Sequence, residues 1–139
     1  MKSPEILVVE AFVSAINRHD VAALSRLMAP DHTFIDPAGR IISGREQMIG
    51  GWEYFFRMFA DYEITVERMA SEGPSVAVFG RARGTFSGRN GPKPENLIAM
   101  PAAWQAKVEG GQLVVWQAYA DWTEGSKIMA REAPDGSEA

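Results

Sequence analysis

Ser75-Val76-Ala77-Val78-Phe79-Gly80-Arg81-Ala82-Arg83-Gly84-Thr85-Phe86 decides the architecture of this chain. Val76, Val78 and Ala82 fall on one side of an extended backbone; Phe79, Arg81, Arg83 and Thr85 fall on the other. A period of two predicts a strand with two different faces. Working outward, the same period predicts strands over 62–70, 97–108 and 112–122. Glu72-Gly73-Pro74 and Glu109-Gly110-Gly111 read as tight turns between them. Residues 87–95 are rich in Gly and Pro and read as a mobile loop.

Upstream of residue 62 the period is helical. Ser3-Pro4 reads as cap and first residue of a helix carrying Ile6, Val9, Phe12, Val13 and Ile16 on one stripe. Asp20 caps a second helix, which Pro30 closes, and a short strand follows over 33–36. Ser43 and Glu46 stand in capping-box spacing before a third helix bearing Met48, Trp52, Phe55, Phe56 and Phe59. Three helices followed by four meandering strands make an α+β fold, a curved mixed or antiparallel sheet wrapped against the helices. A cone of this kind holds a pocket. One domain over 1–123 and a polar tail over 124–139 are expected.

The chain has 139 residues, a formal net charge of -4, 46% hydrophobic residues and no cysteine. No basic stripe is present, which argues against nucleic-acid binding. The lack of cysteine removes disulfides and thiolate chemistry and suits a reducing, cytoplasmic setting. With two histidines and no third ligand set, neither a metal nor a cofactor is expected. The first residues lack a signal-peptide pattern, and no apolar run is long enough to span a bilayer.

Asp36, in Phe34-Ile35-Asp36-Pro37-Ala38-Gly39-Arg40, carries two readings. It caps the following turn, or it stands at the mouth of an apolar pocket as a general base. Alternation sets His32, Phe34 and Asp36 on one face, so His32 is a candidate partner. Arg81 is either exposed or, inside the cone, a receiver for a carbonyl or anionic group, since a buried arginine needs an acidic companion. Trp116, Ala118, Ala120 and Trp122 form one face of the last strand; Met100, Ala102, Trp104 and Ala106 form a similar face next to it. Small residues between large ones leave room for a ligand, unless Trp52 and Phe56 fill it from the third helix.

The chain resembles the NTF2-like (cystatin-like) superfamily, in particular its SnoaL-like branch. The resemblance rests on Asn17-Arg18-His19-Asp20, Leu27-Met28-Ala29-Pro30-Asp31-His32, Phe34-Ile35-Asp36-Pro37 and Gly44-Arg45-Glu46. It extends through Gly80-Arg81-Ala82-Arg83-Gly84 and Trp116-Gln117-Ala118-Tyr119, so that it covers roughly 5–123. It implies a cone-shaped fold, a homodimer and Arg81 inside. Asp36 falls where ketosteroid isomerases place their base, but Phe12 and Trp104 stand in place of their two oxyanion donors. One such donor is worth roughly 3 to 4 kcal/mol, so steroid-type isomerisation is not expected. A limonene-type epoxide hydrolase set would fall on Arg83, Arg81 and Ala118, with only the arginine retained.

The sequence therefore points to a hydrophobic small-molecule pocket lined by Phe12, Trp52, Phe56, Met100, Trp104, Trp116 and Ala118. The alternative is a metal-free isomerase, lyase or cyclase acting on a small apolar carbonyl compound, with Asp36, Arg81 and His32 as its catalytic residues.

Overall fold

The alternation read in 75–86 runs on to Gly88, and the neighbouring strands follow it. A computed structural model describes residues 1–132. The elements in order are α1 (Pro4–Asn17), α2 (Val21–Leu27), β1 (Met28–Ile35), β2 (Ile41–Ser43) and α3 (Arg45–Met58). They continue with β3 (Glu63–Glu72), β4 (Ser75–Gly88), β5 (Gly91–Glu109), β6 (Gln112–Ala120) and α4 (Thr123–Arg131). One six-stranded sheet has the order β2-β1-β6-β5-β4-β3. β3 to β6 form the expected antiparallel meander, and β1 joins it parallel to β6. The result is an α+β cone with a mixed sheet.

The expected caps are in place. Ser3 Oγ accepts from the Ile6 N–H at 3.1 Å with Pro4 leading α1, and Asp20 accepts from the Ala23 N–H at 3.0 Å to start α2. Between them His19 takes a left-handed conformation, φ 55°, which turns the chain.

Four expectations need correction. Helix α2 stops at Leu27, not at Pro30, and β1 already begins at Met28. Pro30 lies where pairing of β1 with β6 lapses between Met28 and Thr33, so its missing N–H costs no ladder bond. Ser43 does not cap α3; it pairs with Thr33 at the end of β2, and Gly44 takes the cap position without a side-chain bond.

The loop expected over 87–95 is mostly strand, with Ser87 paired to Pro92 and Gly88 to Gly91. The polar tail expected from 124 opens as α4, and residues 133–139 lie outside the described part. Both corrections share one cause, because α4 and the β4–β5 hairpin hold each other. Ile128 enters an apolar cluster with Phe59, Phe86 and Ile98. Buried Asn96 donates to the Phe86 carbonyl at 3.1 Å and accepts from Arg131 at 2.9 Å, while Lys93 meets Glu132 at 3.2 Å. Partners this far apart leave no local signal in a stretch of Gly, Pro and charge.

The main core lies between the helices and one end of the sheet, where Phe12, Ile16, Leu24, Val76, Val78 and Trp116 are buried. A bulge between Val66 and Arg68 bends β3 opposite Gly80. A Cβ on Gly80 would lie 2.0 Å from the Thr65 carbonyl oxygen, so only glycine permits this approach. Among the described residues, no helix is long and apolar enough to cross a membrane.

Candidate functional site

Ala82 and Gly84 of β4, Ala102 of β5 and Ala118 and Ala120 of β6 leave space on the inner sheet face that α3 does not fill. A cavity of about 340 Å³ results, within the size range of small-molecule sites. Strand β5 contributes Ile98, Met100, Ala102 and Trp104, and β6 contributes Trp116, Ala118 and Ala120. Register pairs Trp104 with Ala118 and Ala102 with Ala120, so small residues flank each other beside stacked Trp104 and Trp116 rings, 6.1 Å apart. From α3 come Met48, Gly51, Trp52 and Phe55, from β1 Phe34, and from the turn just after it Asp36. At the other edge, Gly84 makes room for two rings: a Cβ there would lie 3.1 Å from Phe59 and 3.4 Å from Tyr62.

Asp36 holds its own turn and also borders the cavity. Its Oδ1 accepts from the Ala38 and Arg40 N–H groups, each at 2.9 Å, and its Oδ2 from Arg40 Nε at 3.0 Å. The aspartate thus ties its own turn, and it also lines the cavity mouth. Its side chain is 23% exposed whereas that of Arg40 is 80% exposed, so the pair is wet on one side only.

The two residues expected to work with Asp36 are elsewhere. His32 is fully buried, but it does not line the cavity. Its Nδ1 lies 2.8 Å from the Leu113 carbonyl, its ring sits 6.3 Å from Phe12, and Nε2 has no partner among the described residues. Burial pushes this imidazole below its ordinary range, more strongly than the Leu113 contact raises it. His32 is on the buried side of β1, but its ring lies beside Phe12 of α1 and not among the cavity residues.

Arg81 is exposed on the outer face of β4, with its backbone between Thr65 and Pro101. Gly80 and Ala82 hold the inner positions on either side of it, so it is no cavity residue. Phe12 and Phe56 are corrected as well. Phe12 is solid core, 5.0 Å from Trp116, and Phe56 stacks on His19 at 4.1 Å. Trp52, Met100, Trp104, Trp116 and Ala118 do line the cavity.

One polar lining residue escaped the sequence reading. Tyr62, read as the first residue of a strand, sits in the link between α3 and β3 and faces the cavity. Its N–H donates to the Phe59 carbonyl at 3.1 Å, and its own carbonyl meets His19 Nε2 at 3.1 Å. Two residues on, Asn17 bonds both backbone groups of Ile64, at 2.9 and 2.8 Å. The signal was present in Asn17-Arg18-His19-Asp20, two side chains able to hold a distant backbone, but nothing local says which backbone.

Solved structures of similar shape cover nearly the whole chain. A ketosteroid isomerase-like fold protein from Catenulispora acidiphila, in complex with trimethylamine, shares 24% identity at TM-score 0.73 over 91% of this chain and 93% of its own. An NTF2-like protein of unknown function from Burkholderia pseudomallei shares 19% at TM-score 0.78, over 91% and 98%. An M. tuberculosis LEH-like epoxide hydrolase shares 16% at TM-score 0.75, over 93% and 91%. At these identities the likeness is one of fold. No protein of curated function matches the sequence. The SnoaL-like domain family, however, matches residues 9–116. With that span running from the first helix to the tryptophan of the last strand, the chain belongs to the SnoaL-like family.

Proposed function

We propose that this protein binds a small, uncharged, mostly apolar molecule in the cavity between α3 and the sheet. The observation that carries the reading is the wall itself: aromatic rings around Ala102, Ala118 and Ala120, with space where side chains would otherwise meet. Burying apolar ligand surface there supplies the driving force, about 25 cal/mol per Å². The Catenulispora protein holds an amine. Here Arg40 already pairs with the carboxylate at the mouth, which favours a neutral guest over a cation. Native mass spectrometry of freshly purified protein tests this reading. A co-purified non-covalent adduct, lost on denaturation and absent from Ala118→Leu, is the expected result. No adduct, together with no tryptophan fluorescence response to any apolar compound, refutes it.

A second reading has one observation in its favour, Asp36 at the cavity mouth. As a metal-free isomerase, lyase or cyclase, the protein would use Asp36 to take a proton from carbon beside a carbonyl. Its oxygens already accept three hydrogen bonds, and Arg81 and His32 lie outside the cavity, so binding is the better supported reading. Homodimerisation through the outer sheet face belongs to the proposal too, because Phe79, Leu97 and Tyr119 are exposed there. Light scattering at tens of micromolar should then give twice the 15.3 kDa chain mass.

A further inference from the structure

Resting on the binding reading, we propose that the Tyr62 hydroxyl is the donor that selects the ligand: a neutral, apolar compound carrying an acceptor oxygen, seated at the β4 edge of the cavity. The other hydroxyl and charged groups of the lining are spent or misplaced, which leaves Tyr62 beside the indoles of Trp104, Trp116 and Trp122. Asp36 and Arg40 satisfy each other, and Tyr54 and Arg83 are exposed. The Trp52 Nε1–H is enclosed by protein and has no partner among the described residues, so no ligand reaches it without a change in packing.

Tyr62 is different. Its ring stands edge-on to Phe55 at 4.7 Å, beside the space opened by Gly84, and it lines the cavity. Burial alone raises its phenol above the ordinary range, with no hydrogen bond opposing the shift. Tyr62 is half-buried, and its hydroxyl has no protein acceptor among the described residues. A hydrogen bond from this hydroxyl to a ligand oxygen is worth about 1 kcal/mol net.

The residue is also held in place before any ligand arrives. Its N–H is bonded to Phe59, its carbonyl to His19, and the strand it leads into to Asn17. Little ordering remains to oppose binding.

Position sharpens the ligand class. Asp36 extends β1, and Tyr62 sits beside Gly84 of β4, three strands across the sheet order. Three interstrand spacings are roughly 14 Å along the sheet. An oxygen bound to Tyr62 keeps its neighbouring carbons away from Asp36. The guest is thus recognised by its oxygen at one end and enclosed along its hydrocarbon body, with no enolisation at the carboxylate.

The probes are tetralin and 1-tetralone, which share one ring skeleton and differ at the oxygen. Titrated against wild type and followed by tryptophan fluorescence, the ketone should bind about fivefold more tightly. Tyr62→Phe should remove that preference while leaving tetralin affinity unchanged. Independently of the variant's folding, wild-type protein labelled at tyrosine Cζ carries only Tyr54, Tyr62 and Tyr119 signals. The ketone should move one resonance that the hydrocarbon does not, and Tyr62→Phe, if folded, assigns it. Equal wild-type affinities for the two probes, or no tyrosine signal specific to the ketone, overturn the role of Tyr62 and leave the binding reading standing. Binding of neither probe, with no co-purified adduct in native mass spectrometry, defeats both.

Discussion

The two ends of the inner sheet face obey the same alternation and reach opposite outcomes. At one end Val76, Val78, Ala106 and Trp116 meet α1, and Phe12 seals the contact. At the other, Ala82, Ala102, Ala118 and Ala120 face α3 across an unfilled cavity. Ala106 and Ala102 make the contrast within one strand: the first is fully buried and outside the cavity lining, and the second is part of it. An inward alanine means close packing where a helix lies on it and vacant space where the covering helix stands away. Residue type alone does not decide between them.

Five substitutions and one titration break or sharpen that contrast. Phe12→Ala should have the largest effect, a loss of about 3 to 5 kcal/mol in urea unfolding, since it opens a hole where none exists. Enlarging residues gives the inverse test. Ala106→Leu should cost about 1 to 3 kcal/mol, whereas Ala102→Leu should change stability by less than about 1 kcal/mol and abolish ligand binding. Equal costs would mean that the cavity end is as tightly packed as the core.

Asn17→Ala removes both bonds to Ile64 and should cost about 1 to 2 kcal/mol, loosening the Tyr62 edge without touching the Phe12 end. Acid should then act on the packed end first. Burial holds His32 below its ordinary 6.5, so the unfolded chain takes up that proton more readily. The stability this gives is present above about pH 6.5 and is lost as pH falls through that value toward the folded one. Unfolding curves between pH 7 and about pH 5, with an NMR titration of the ring, check the slope and its source. Smallest of all, Asp36→Asn should cost under about 1 kcal/mol, because Asn keeps an oxygen for the Ala38 and Arg40 N–H groups and the Arg40 side chain whose charge partner it removes is 80% exposed. Unchanged ligand affinity in that variant supports a binding site; loss of a turnover that wild type shows would restore the base.

Much of the architecture was legible because it is local. Ser3 and Asp20 announce caps, and the glycines of Glu109-Gly110-Gly111 announce a hairpin. Strand alternation also sorted residues correctly, placing Arg81 with Phe79 and Thr85 against Val76 and Ala82. It does not say which face is inside. A phenylalanine beside the arginines was no guide, since inner positions at this end are deliberately small and the outer face carries the larger residue. The parallel pairing of β1 with β6 and the docking of α4 depend on partners distant in sequence. Tyr62 was hidden for the same reason, its setting being made by residues 17 and 19.

Strand β3 ends the sheet, which leaves one row of backbone groups facing outward. Asn17 occupies both hydrogen-bonding groups of Ile64 near the start of that row, and Ser3 Oγ lies 3.2 Å from Ser71 Oγ near its finish. Between them the bulge after Val66 breaks the register. A foreign strand meets a blocked first rung, a kink and a charged sequence of Glu63, Glu67, Arg68 and Glu72, so the open margin of the cone resists templating another chain.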